Sequence, residues 1–213
     1  MSRKMVSVAN EHPDYTLWKA EWTKCRDCFD GQSAVKRRGQ LYLPRLSGMD
    51  NDDYNAYRFR ALFYSITSKT VSSLVGMVTV KTPSISYPPE LKYIFEDKNG
   101  VQFYETLTRA LTENVLISRI GFLVDRPKNG GKANVYIYDA ESILNWDVDE
   151  EGKPIFVVLY EKIVKPGVNR FEGMNSCQYR VLELIDGVYF QTIYGEDGTS
   201  SQPIRIENTG KSM

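Results

Sequence analysis

Apolar residues early in the chain recur at helical spacing. Pro13 suits a first helical position, and Trp18, Trp22, Cys25 and Phe29 follow at intervals of four, three and four. That stripe is expected to face a core, with Gly31 as the stop. A short basic helix over 33–38 is predicted next, closed by Gly39. Leu41-Tyr42-Leu43-Pro44 should then be extended, because proline disfavours helix for the residue before it. A longer helix is predicted from Asn51 or Asp52, both good N-caps, to about Met77. Phe59, Leu62, Phe63, Ile66, Thr70 and Leu74 share its expected core face. Val78-Thr79-Val80 reads as β-like, and Pro83 with Pro88-Pro89 breaks the chain. A last helix is expected over 101–118, with Tyr104, Leu107, Thr108, Leu111 and Val115 inward.

From Ile120 the period changes from 3.6 to about 2. Strands are predicted at 120–125, 134–138, 155–161, 178–184, 188–194 and 203–207. Turn chemistry separates them at Asn129-Gly130-Gly131, Glu151-Gly152, Pro166-Gly167 and 195–198. Asp186-Gly187 between two apolar runs is the strongest hairpin signal, the pair that a two-residue type I′ turn wants. Helices first and hairpins second predict an α+β fold, with N-terminal helices packed on a mostly antiparallel sheet. The expected division is a mainly helical part, 1–119, and a β-hairpin part, 120–213.

Composition narrows the function classes. The 213 residues carry 27 basic and 27 acidic side chains, with 42% hydrophobic residues, ordinary values that argue against disorder. No apolar run reaches the roughly 18 residues of a membrane helix, and the N-terminus lacks the hydrophobic stretch of a signal peptide. Three cysteines fit a reducing compartment without a disulfide framework. His12 is the single histidine, so a Ser-His-Asp or Cys-His enzyme would rest wholly on it, and His-rich zinc sites are excluded. Charge is uneven: residues 1–70 carry 12 Lys/Arg against 8 Asp/Glu, and the remainder 15 against 19.

Four motifs invite chemistry. Cys25-Arg26-Asp27-Cys28 is a CxxC, but a zinc site would need Cys177 and His12 to converge on it, and a redox thiol would follow a strand. A structural role on a helix, with Cys25 continuing the Trp18/Trp22 stripe as a buried thiol would, is the expected reading. Gly131-Lys132 and Gly210-Lys211-Ser212 imitate phosphate loops without the full spacing of one, since Arg126 and Arg205 stand five residues before each glycine. The carboxylates Asp147, Asp149, Glu150 and Glu151 could hold Mg²⁺ for a nuclease, yet their sequence before Gly152-Lys153-Pro154 reads as a solvated hairpin tip. Lys36-Arg37-Arg38 could touch phosphate, although a run of three is usually a solvated face. No catalytic, cofactor-binding or metal-binding residue is assigned, no cofactor is expected, and the aromatic residues are accounted for by core stripes.

The sequence resembles one known family over nearly its whole length. The stretches are His12-Pro13-Asp14-Tyr15, Trp22, Cys25-Arg26-Asp27-Cys28, Gly31 and Ala34-Val35-Lys36, then Tyr42-Leu43-Pro44-Arg45-Leu46-Ser47-Gly48. Tyr57-Arg58-Phe59-Arg60-Ala61-Leu62-Phe63-Tyr64, Leu74-Val75-Gly76-Met77-Val78 and Ile120-Gly121-Phe122-Leu123-Val124-Asp125 continue it. Tyr138-Asp139-Ala140-Glu141-Ser142-Ile143-Leu144-Asn145-Trp146 and Tyr179-Arg180-Val181-Leu182-Glu183-Leu184 complete it. In number and order these pieces resemble the portal (head–tail connector) proteins of tailed bacteriophages, in their N-terminal wing region.

The resemblance implies a non-enzymatic, structural subunit of a dodecameric homo-oligomer ring at a capsid vertex, through which double-stranded DNA is packaged and ejected. It implies terminase, head–tail adaptor and capsid or scaffold proteins as partners, no membrane, and a location in the virion after assembly in host cytoplasm. The stem, clip and crown of a portal are expected to be absent, as in a truncated or split portal. Two other classes stay open: a metal-dependent nuclease using the acidic cluster, and a small nucleic-acid-binding phage accessory protein using Lys36-Arg37-Arg38 and exposed aromatics.

Overall fold

The computed structural model describes residues 7–81, 83–95, 102–125, 132–167, 172–196, 200–201 and 204–206. Helices come first: α1 (Pro13–Asp30), α2 (Gln32–Arg37), α3 (Asn51–Arg60), α4 (Ile66–Thr79), α5 (Lys92–Phe95) and α6 (Gln102–Ile117). Strands follow: β1 (Ile120–Asp125), β2 (Asn134–Asp139), β3 (Ile143–Val148), β4 (Pro154–Pro166), β5 (Gly173–Ile185), β6 (Val188–Gly195) and β7 (Ile204–Ile206). The fold is α+β, with helices N-terminal to a mostly antiparallel sheet, as the patterning predicts. Contacts divide the chain into two compact units, one of Met1–Trp18 with Tyr138–Met213 and the other of Lys19–Ile137. The boundaries fall inside α1 and β2 rather than at residue 120, where the hydrophobic period changes.

The first unit is built on a meander of five strands in sequential order, β3-β4-β5-β6-β7. β4 and β5 pair from Phe156↔Glu183 to Pro166↔Gly173, the longest ladder among the described residues. The register between β5 and β6 is set by the Asp186-Gly187 turn: φ is 50° at Asp186 and 77° at Gly187, and Ile185 pairs with Val188. Positive φ at both central residues is what a type I′ turn requires, so the hairpin stands as predicted. β3 was not among the predicted strands. Its pairing with β4 is irregular on both sides of Asn145–Asp147, which blurs the alternation in sequence. Leu144, Val158, Leu159 and Val181 are buried; Val158 pairs with Val181, while Leu159, next to Val158 on β4, lies on the other face of the sheet.

The start of α1 is tied to β3. The His12 N–H donates to the Leu144 carbonyl at 2.9 Å, and its ring stacks on Trp146 with centroids 4.0 Å apart. Tyr15, 3% exposed, donates its hydroxyl to the Glu141 carbonyl at 3.0 Å. The lone histidine is thereby accounted for by packing.

The second unit gathers the rest of α1, α2–α6 and the β1–β2 pair. Arg26 on α1 grips Glu113 on α6 through both carboxylate oxygens, at 3.1 and 2.7 Å. Tyr104 on α6 donates to the Thr79 carbonyl at the end of α4. Several expectations are corrected here. Tyr15 and Trp22 mark the buried face of α1, whereas Trp18 is exposed. Gly39–Leu41 forms a 3₁₀ turn and Tyr42 keeps helical dihedrals, so residues 41 and 42 are not extended; the Tyr42 N–H turns back onto the Gly39 carbonyl.

The long helix from Asn51 to Met77 is two helices. Asp50, not Asn51 or Asp52, caps α3 through its side chain and the Asp53 N–H, 2.8 Å away. Ala61 leaves the helical region with ψ 135°, and residues 61–65 link α3 to α4. Two side chains of the preceding segment satisfy the freed backbone: Lys36 donates to the Phe59 carbonyl at 2.6 Å, and Gln32 accepts from the Phe63 N–H. The predicted core face is also reversed. Val71 and Val75 are buried, while Phe59, Leu62, Ile66 and Leu74 are exposed. Val78 and Thr79 continue α4 instead of turning β-like. On α6, Ala110, Leu116 and Ile117 are buried and Val115 is exposed, a rotation of the expected stripe. The Asn129-Gly130-Gly131 turn lies outside the described residues.

Candidate functional site

Cys25 and Cys28 lie in the last turns of α1, half-buried and free of disulfide. Cys177 sits on β5 in the other unit, opposite Lys162. Among the described residues no three His, Cys, Asp or Glu side chains converge on a point that would hold a metal ion. The second CxxC position that chemistry does use is Asp27, between the thiols. It is 5% exposed and its Oδ2 accepts from Arg38 Nε and from the Tyr42 hydroxyl, each at 2.8 Å. Burial alone would raise its carboxyl, but those two hydrogen bonds and the charges of Arg38 and Arg37 hold it below the usual range. Burial and the bond to Asp27 push the Tyr42 phenol up to about 12. The hub joins α1, α2 and the turn after it, and the carboxylate stays ionised at neutral pH.

The acidic cluster forms the tip of the β3–β4 hairpin. Asp149 Oδ1 accepts from the Glu151 and Lys153 N–H groups at 2.9 and 2.8 Å, and the Asp149 N–H donates to the Lys153 carbonyl. Gly152 takes φ 78°, which explains the glycine. Asp147 accepts from the Val148 N–H, and Glu151 pairs with Lys153 at 2.5 Å. These carboxylates close a turn rather than face one another around a shared centre.

A second charged network occupies the β4–β5 ladder. Glu161 accepts from Arg180 Nε at 2.7 Å, from Gln178 Nε2 at 2.5 Å and from the Tyr138 hydroxyl. Both ionic side chains are about 15% exposed. Burial pushes the Glu161 carboxyl up, but the bonds from Arg180, Tyr138 and Gln178 outweigh it and leave it below the ordinary value. Residues two apart on a strand share a face, so Gln178 and Arg180 reach the same carboxylate from one side of the sheet. The alternation of these three polar residues within apolar strands is the signal that would have found the network.

The basic run is split by the fold. Arg38 is consumed by Asp27 and Lys36 holds the end of α3, while Arg37 makes no hydrogen bond or ion pair among the described residues. Arg58 of α3 joins them: Lys36, Arg37, Asn55, Ala56, Arg58 and Phe59 line one open depression of about 830 Å³. Arg58 and Phe59 were not singled out as site residues, because four-residue spacing inside α3 says nothing about α2. Lys132, of the first phosphate-loop fragment, stands 4.7 Å over the Tyr93 ring; Gly131 and Gly210-Lys211-Ser212 lie outside the described residues. No described helix is long and apolar enough to cross a membrane. No protein-family model matches the chain, and no curated protein matches it.

Proposed function

We propose that the protein is a structural assembly subunit of the tailed-phage portal type, corresponding to the wing. The sequence resemblance motivates the reading, and one observation carries it: α4 has two apolar faces and only one is used. Val71 and Val75 point inward, yet Ile66, Met77 and the capping Val80 are each 69–77% exposed. Ile66, Leu74, Met77 and Val80 share the outward face at helical spacing, and Lys69 is the helix's one charged residue. A helix apolar on both sides belongs between two partners. Covering each such side chain is worth about 1–2 kcal/mol. Ring contacts are heterologous, so a subunit must present unlike complementary surfaces, and an exposed helix face suits one of them.

Light scattering over a concentration series tests this. The purified 213-residue chain should associate weakly and heterogeneously, and Ile66→Glu with Met77→Glu should leave a monomer of unchanged circular dichroism. A chain that stays monomeric at every concentration, or association indifferent to both changes, would defeat the reading. A Mg²⁺-dependent DNA-cleavage assay runs alongside, and robust cleavage lost in Asp149→Ala would replace the portal reading with the nuclease.

A further inference from the structure

The depression between α2 and α3 is the place where charge, exposure and shape coincide. Its floor and walls are Lys36, Arg37, Asn55, Ala56, Arg58 and Phe59. Among the described residues Arg58 has no hydrogen bond or ion pair, and Asp27, whose charge Arg37 feels, is already taken by Arg38 and Tyr42. Lys36 spends one of its three donors on the Phe59 carbonyl, which fixes the ammonium at the rim. Phe59 is 83% exposed, an aromatic ring left in water beside three cations. Its ring is already approached by Lys36, 5.8 Å from the centroid.

We propose that this depression binds the phosphate backbone of a single-stranded nucleic acid, with Phe59 stacking on one unpaired base. The guanidinium groups of Arg37 and Arg58 are the phosphate partners, since their planar forks match phosphate oxygens and no described carboxylate forms an ion pair with them. Asn55 adds a neutral donor at the same wall. The exposed ring selects the ligand class: an acidic peptide satisfies the cations but gives a bare aromatic face no base to stack on, and a duplex keeps its bases inside. Cations lining a groove with an interleaved aromatic is the arrangement by which strands are held without sequence readout. Arg38 takes no part, because it belongs to Asp27. The site stands on this depression and not on the assembly reading.

Fluorescence anisotropy with labelled oligothymidylate, a duplex of equal length and polyglutamate tests the proposal over a salt series. Oligothymidylate should bind best, with affinity falling as salt rises. Arg37→Gln and Arg58→Gln should each lower the slope of log K against log salt by about 0.7. Phe59→Ala should weaken oligothymidylate about tenfold or more while leaving the duplex unchanged. Because Phe59 is exposed, that variant keeps its fold, and circular dichroism checks it. Polyglutamate binding as well as oligothymidylate would overturn the proposal in favour of an acidic protein partner. A salt slope untouched by both arginine changes, or an Phe59→Ala variant that binds like the wild type, would overturn it as well. Light scattering on the same samples separates this outcome from failure of the assembly reading.

Discussion

Glu161→Gln is a small change in shape with a large expected cost. The carboxylate accepts four hydrogen bonds: Tyr138 and Arg180 Nε on one oxygen, Gln178 and Arg180 Nη2 on the other. In the glutamine variant one oxygen becomes NH₂; the Tyr138 hydroxyl or the Gln178 amide can turn to accept from it, but an Arg180 N–H confronts it whichever way the new amide turns. Arg180, with a side chain 15% exposed, keeps its charge and loses the Glu161 carboxylate. Losing the charge assistance of these bonds inside the sheet costs about 3 kcal/mol. With an m-value of about 2–3 kcal/mol/M in urea, the midpoint should fall by about 1–1.5 M at pH 7. Intrinsic fluorescence follows the transition, and hydrogen exchange of the β4 and β5 amides assigns it to this sheet. The folded pKa of Glu161 lies below its ordinary value of 4.5, so its stabilisation is complete above 4.5 and drains away as pH falls through the folded value. The gap between wild type and variant should therefore be full at neutral pH and narrow in acid below 4.5. A midpoint within about 0.2 M of wild type at pH 7, or a gap that widens in acid, would show that the carboxylate does not bear the load described.

Other outcomes follow from single positions. Gly187→Val should cost about 1–2 kcal/mol in urea unfolding because φ is 77° there, while Asp186→Asn, also at positive φ, should be nearly silent; equal tolerance of both would mean the β5–β6 register is wrong. Gly31→Ala should destabilise the second unit by at least about 1 kcal/mol, since φ is 84° and the new Cβ would lie 2.8 Å from Ser65 Oγ; an unchanged Tm would contradict that close approach. Replacing Cys25 and Cys28 together by alanine should lower stability by about 1–3 kcal/mol and leave metal content unchanged, so stoichiometric zinc lost in the double variant would refute a packing role.

Local signals carried much of the architecture. Pro13 and Gly31 bound α1, Asp186-Gly187 determines a two-residue turn, and the short, mainly apolar run 120–125 between Arg119 and Arg126 coincides with β1, because caps, turns and short strands depend on neighbours a few positions away. Which face is inside did not follow. In Phe59–Val80 apolar residues surround the helix axis, so periodicity admits two stripes, and only the seat of α4 against α6 selected Val71 and Val75 over Ile66 and Met77. The break at Ala61 was equally hidden, since Lys36 and Gln32, some thirty residues upstream, supply the bonds that let the helix end there. Polar sites behaved alike. Asp27, Glu161 and the Arg37–Arg58 depression each draw residues from separate elements, and a sequence read along one dimension records a charge without its partner. The residues determined which helices, turns and strands form; the tertiary structure decided which charges are satisfied, which are left for a ligand, and which apolar face is left uncovered.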